Sequence, residues 1–359
     1  MPLRPFTTTV VGCYSVPRWF EALRNPEDIQ EAQRRSMQAA VMDQEQAGLD
    51  IVTSGELHRR VHNRHAPLTS MLNHFWDKLP GFARDVEGDL VLRPRALSAR
   101  DPRIVHGVAM CTGPVLYADL GLVAEFERVA ALARRPEQVK VTVTGPHSLA
   151  KFAFDEHYAD MRRMMFDLAK VLNQNLRKLA EAGCRHVQLD ETALSGLGVT
   201  GDEVDAAVDA IHVAFEGVRA YKWVHVCQGN YAMCDNLDGP LGHRYFDTEE
   251  YPADRICRIA CDALLIEGDM TPRYEGYLRN QQLALGVADV QNLHVESAET
   301  LADRIVALAE GWLPREQTLI TSSCGMNHLP REVAFGKLQS IARAKQILCG
   351  RVNTASRVS

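Results

Sequence analysis

The chain has no run of lysine or arginine and carries a net charge of −6 over 359 residues. It therefore offers no basic footprint for nucleic acid. It lacks any apolar stretch approaching the roughly 20 residues that span a bilayer. The opening Met-Pro-Leu-Arg-Pro-Phe-Thr-Thr-Thr has no apolar core of the kind a signal peptide needs. Nine cysteines, an odd number scattered through a large chain, do not make a disulfide framework, so the cytoplasm is the expected address. No Gly-x-Gly-x-x-Gly follows the first β-branched run, which disfavours a dinucleotide-binding sheet. With a hydrophobic fraction of 46% and a mean hydropathy of −0.19, the chain can bury an ordinary globular core.

Short β-branched runs alternate with helical patterns. Strands are predicted at 7–12, 50–56, 139–145, 186–191, 223–228, 263–267, 283–289 and 319–324. In 157–182, Met161, Met165, Leu168, Leu172, Leu176 and Leu179 recur at helical spacing, and Gly183 caps the end. Residues 28–48 read as a second helix, with Asp28 as N-cap and Gly48 as the stop. Eight strands with interleaved helices predict an α/β fold, a single (β/α)8 barrel over residues 1–359. A doubly wound open sheet is the alternative. Residues 62–110, with a hairpin around Glu87-Gly88-Asp89 and a short strand at 104–110, read as an elaboration of the connection between strands two and three. The long polar stretch 229–255 after strand five reads as an active-site loop.

In such a barrel the C-terminal strand ends face the active site. Those ends carry Gly12-Cys13, Glu56, Gly145, Asp190-Glu191, His225, Cys227, Glu267, Asp289 and Cys324. His225 and Cys227 are two apart on one strand and point the same way. With Glu267 and Cys324 they form a mixed nitrogen, sulfur and oxygen set suited to Zn²⁺. The excess ligand charge favours a zinc that activates a thiol over one that ionises water. The plainer reading makes Cys227 a small buried hydrophobe, His225 structural and Cys324 incidental. Glu56 and Asp190 are candidates for gripping a cationic group such as a substrate ammonium. Their plainer role is a salt bridge to Arg59, Arg60 or Arg185. Cys111, Cys184, Cys257, Cys261 and Cys349 have no such placement.

Thr-Thr-Thr-Val-Val-Gly (7–12), Ser-Gly-Glu (54–56), Val-Thr-Gly-Pro (143–146) and Gln-Leu-Asp-Glu (188–191) resemble the cobalamin-independent methionine synthase family. So do His-Val-Cys-x-Gly-Asn (225–230) and Cys-Gly-Met-Asn-His-Leu-Pro-Arg-Glu-Val-Ala (324–334). The resemblance runs along nearly the whole chain. It implies a (β/α)8 barrel, zinc on His225, Cys227, Glu267 and Cys324, and homocysteine as the thiol, its amino group held by Glu56 and Asp190. It implies methyl transfer to give methionine, with Glu267 the ligand that moves away. The resemblance is to the catalytic half of the two-barrel, folate-using enzymes, as in the short core members. It implies a corrinoid or another carrier as methyl donor in place of free methyl-folate, and the choice between methyl-folate and methyl-corrinoid stays open. Cys13, beside Gly12 after the first strand, stands where the family commonly has a serine that contacts the amino-acid carboxylate. Phe152 stands at the position of a pterin-stacking tryptophan. In Asp289-Val290-Gln291, glutamine replaces a histidine proposed as proton donor, leaving Asp289 and nearby His294 as candidates. The alternative function is a zinc-dependent alkyltransferase of the epoxyalkane–coenzyme M type, against which the paired carboxylates speak because they repel a sulfonate.

Overall fold

The computed structural model describes residues 1–17, 19–20, 23, 25–60, 63, 65, 71–96, 105–194, 199–226 and 251–355. Six parallel strands run side by side: Lys140–Thr144, His186–Asp190, Tyr221–Val226, Ala263–Glu267, Gln282–Ala288 and Thr318–Ser322. Two earlier segments join its edges. The Thr9 N–H donates to the Ile320 carbonyl and the Ile320 N–H returns to Thr7, both at 3.0 Å. The Ile51 N–H donates to the Thr8 carbonyl at 3.1 Å, and the Lys140 N–H donates to the Val52 carbonyl at 2.9 Å. The bonds thus return to their starting strand through eight parallel segments, the ring of a (β/α)8 barrel, in which no sheet edge is left to pair. Each of the eight predicted strands contributes to this ring.

Two-residue alternation along each strand creates two cores. Val141 and Val143 face outward into the large cluster shared with the surrounding helices. Ile51, Trp223, Ala263, Leu265, Ala284 and Leu319 form a separate, fully buried apolar cluster within the ring. Interleaved with them inside are the polar residues Lys140, Thr142, Gln188 and Asp190, all buried. Side chains therefore fill the barrel, as they do in this architecture generally.

The helices follow their predicted apolar stripes, with shifted starts. The first spans Pro26–Ala47, capped by Asn25 rather than Asp28; the Asn25 side chain accepts from the Glu27 N–H, and Pro26 occupies a first-turn position that needs no donor. Asp28 instead places its charge in the first turn, where the helix dipole favours it. Gly48 ends this helix at φ +95°. The second spans Met161–Glu181 and starts later than 157 because Asp160 caps it. Just upstream, Phe154–Asp155 pairs with Val105–Cys111. That strand also pairs antiparallel with Leu92–Ala96, so the elaboration between strands two and three joins the segment after strand three in a small second sheet. A tight turn closed by Gly88 at φ +88° lies where the hairpin was expected, with Arg84 bridged to Leu90. Among the described residues no helix is long and apolar enough to cross a membrane.

Candidate active site

The two acids come from neighbouring sides of the ring. Glu56 follows the 50–53 segment and adopts φ +62°, a conformation that costs a residue with a Cβ and is sustained only by its surroundings. Three groups hold its buried carboxylate. The Cys13 thiol donates to Oε2 at 2.8 Å and the Thr142 hydroxyl to Oε1 at 2.5 Å. The Arg59 guanidinium lies 3.4 Å from Oε1. Gly12 is required beside it: a Cβ at that position would fall 2.1 Å from Glu56 Oε1. Arg59 is thus a partner of Glu56, as the plainer reading had it, but its shorter bonds go to Glu125, at 3.1 Å to each oxygen. Arg59 bridges the two acids.

Asp190 ends its strand, two residues above Gln188 and on the same face. The Gln188 amide donates to Asp190 Oδ1 at 2.6 Å. Burial raises the Asp190 carboxyl above its ordinary range, and the Glu56 charge raises it further. Burial also lifts the Cys13 thiol well above a normal cysteine, with Glu56 and Asp190 adding to the shift. The neighbouring Glu191 faces the other way. Its carboxylate accepts from the His147 and Ser148 N–H groups at the start of the helix Pro146–Phe152, a structural cap.

His225 sits opposite Asp190 on the adjacent strand. Its Nδ1 lies 3.2 Å from the Leu265 carbonyl, which can only accept, so a proton sits on Nδ1 and Nε2 is the ring nitrogen left over. Nε2 is buried and meets no nitrogen or oxygen partner among the described residues. Burial alone would lower the imidazole pKa, but hydrogen bonding to Cys324 and the charges of a Cys324 thiolate and of Asp190 raise it instead. Cys324 is buried just past the Thr318–Ser322 strand, and its carbonyl accepts from Ser322 Oγ at 2.9 Å. Glu267 ends the Ala263–Glu267 strand and accepts from Gln291 Nε2 at 3.4 Å.

Cys227 lies outside the described residues, as do residues 229–250 of the predicted loop. Among the described residues no three of the candidate donors form a cluster able to hold a metal. What the structure does bring together is His225 and Cys324. The donor chemistry fits zinc at His225: an imidazole oriented through Nδ1 by a carbonyl, with a thiol beside the ring, is how metal-binding histidines are held.

Residues 6–346 match the family described as cobalamin-independent synthase, catalytic domain. The chain belongs to that family. A methionine synthase from Thermococcus kodakarensis is 30% identical over 97% of this chain and 94% of its own length. One from Saccharolobus solfataricus is 28% identical over 97% and 96%. A B12-independent methionine synthase from a Shewanella species, solved with selenomethionine, superposes with a TM-score of 0.76 at 22% identity over 98% of this chain and 99% of that one, showing the same fold. This family member is an enzyme of the methyltransferase class.

The expected donor-side residues are more dispersed. Asp289 is half-buried and its carboxylate is engaged locally, accepting from the Gln291 N–H at 2.9 Å and Asn292 Nδ2 at 2.7 Å. His294 is exposed, and its carbonyl is held by the Lys337 ammonium. It is Gln291, between them, that reaches Glu267. Phe152 is half-buried at the end of its short helix and packs against the outer core. Thr142, Gln188 and Lys140 were missed by reading strand ends alone. The available signal was a polar residue two or four positions before a strand end, on the same inward face as the acids.

Proposed function

We propose that this methyltransferase is zinc-dependent and methylates homocysteine to methionine, the donor being a methyl-folate or a methyl-corrinoid. In this reading residues 1–359 act as one catalytic domain in the cytoplasm. The observation that carries it is the buried Nε2 of His225, which meets no nitrogen or oxygen partner among the described residues, with the Cys324 thiol beside the ring and the strand end that carries Asp190 next to it. His225, Cys227, Glu267 and Cys324 would hold the metal. Zinc, when bound, supplies the acidity that keeps an acceptor thiol as thiolate near neutral pH.

The chain's own residues do the rest. Glu56 and Asp190 repel each other across a buried site, and a substrate ammonium between them supplies the charge that relieves this repulsion. Cys13 and Gly12 border the same carboxylate and would shape the pocket for the amino-acid end. Gln291 reaches Glu267 and would steady it as the acceptor sulfur arrives. Phe152 would offer a ring to a flat donor, and Asp289 and His294 remain the candidates for proton handling. Zinc content of the purified protein, with X-ray absorption at the zinc edge with and without homocysteine, tests the proposal. Gain of a sulfur and loss of an oxygen neighbour is expected. Absence of zinc after metal-replete expression would overturn it, and an unchanged shell would redirect the reading to a thiol such as coenzyme M.

A further inference from the structure

Beneath Asp190 the barrel holds a buried lysine. Lys140 is about 1% exposed, and its ammonium lies 5.0 Å from the centroid of the Trp223 ring, over the apolar plug. It donates to the Val10 carbonyl at 2.7 Å and to Gln188 Oε1 at 2.5 Å. The Gln188 amide nitrogen donates to the Val11 carbonyl at 2.7 Å as well as to Asp190 Oδ1. Three contacts therefore fix one amide. Were it flipped, its oxygen would face two acceptors and its NH₂ would face an ammonium, so only the observed orientation is satisfied. The amide plane is locked from both ends, and with it the donor that positions the carboxylate above.

The geometry points to Lys140 and Gln188 as a positioning relay: the lysine fixes the Gln188 amide, and the amide holds Asp190 in the orientation that grips a substrate ammonium. Neither residue reaches the reacting atoms; both act through Asp190. The inference rests on the reading of Glu56 and Asp190 as the ammonium site. Lysine suits the task because it has three donors and no acceptor, so it can serve the Val10 and Gln188 oxygens together without offering Asp190 a competing acceptor. Gln188 suits it because one side chain carries the acceptor and the donor that the relay joins.

The test compares binding of homocysteine with that of 4-mercaptobutyrate, the same thiol acid without its amino group, by calorimetric titration of the zinc-replete protein. Wild type is expected to prefer homocysteine. Gln188→Met is expected to cut that preference about tenfold, the scale of a lost hydrogen bond to a charged group, with zinc content unchanged. Lys140→Met is expected to cut it about threefold, and the double variant no further than Gln188→Met alone, because both changes break one path. Lys140→Gln can still donate to Gln188 and is expected to restore the preference, which a merely structural role for the lysine would not predict. If either methionine variant fails to fold, Gln188→Asn, too short to reach both partners, asks the same question. Folded variants that keep the wild-type preference, losses that multiply in the double variant, or a Lys140→Gln that behaves like Lys140→Met would overturn the relay alone. A wild type that binds both thiols alike would overturn the ammonium reading, and the relay with it.

Discussion

The two ends of the barrel interior are built on opposite principles. The lower end is an apolar plug of Ile51, Trp223, Ala263, Leu265, Ala284 and Leu319, fully buried and closed on itself. The upper end collects Glu56, Asp190, His225, Glu267 and Cys324, also buried, but with charge that apolar packing cannot satisfy. Lys140 and Gln188 form the seam between them. Burying charge costs free energy unless it is paired, so the upper end fits the proposed ligand site, while the lower end serves stability. The comparison teaches where a substitution should be felt: in folding below, in metal and substrate binding above.

The largest expected effect breaks the lower end. Trp223→Ala should destabilise the protein by about 3–5 kcal/mol in urea unfolding, through the lost packing and the cavity left behind. A loss of stability smaller than that of an exposed substitution would refute the plug. Next, Cys324→Ser should lower zinc affinity at least about 100-fold, measured by chelator competition, while the unfolding midpoint of the metal-free protein changes little. Undiminished zinc binding with retained thiol alkylation would remove Cys324 from the metal set.

Acid acts on the lower end through one histidine. His186, at the lower end, has its pKa lowered to about 4 by burial and by the nearby Lys140 charge. The Trp223 N–H faces its Nδ1 at 3.4 Å, so a proton there would meet a donor. Between pH 6.5 and 4 the unfolded chain binds a proton that the folded chain does not, so this group's stabilisation is lost as pH falls through that window. From pH 6.5 to pH 5 the loss is about 2 kcal/mol. The difference in stability between wild type and His186→Phe should shift by that amount between the two pH values; a constant difference would contradict it. The smallest effect lies at the upper end. Glu56→Gln keeps the shape but removes the charge, and should weaken homocysteine binding about tenfold while leaving 4-mercaptobutyrate binding unchanged in titration. Equal losses for both thiols would show that Glu56 shapes the pocket without gripping the ammonium.

The barrel was legible because its signals are local. Val141 and Val143 alternate with Lys140 and Thr142, Leu168, Leu172, Leu176 and Leu179 repeat at helical spacing, and Gly48 and Gly183 stop their helices. Helix starts were less legible. Asn25 displaced Asp28 as a cap because several side chains near one end could serve, and only the backbone path selects among them. Strand ends placed Glu56, Asp190, His225, Glu267 and Cys324 on the right rim, since a strand's last residue needs no partner to be located. The partners themselves could not be read. Arg59 was a reasonable partner for Glu56, yet it lies closer to the Thr142 carbonyl and to the carboxylate of Glu125, which is 66 residues away in the chain.

By itself, then, the sequence determined which residues face inward and which close each strand, because the two-residue and 3.6-residue periods are written along the chain. Only the tertiary structure decided which of them meet. Closing the ring sets Thr9 beside Ile320, which puts Cys13 next to Gly325, and it sets Gln188 between Lys140 and Asp190. It also holds Glu56 at its positive φ, a conformation that no local preference would choose and that Cys13, Thr142 and Arg59 sustain from three separate parts of the chain.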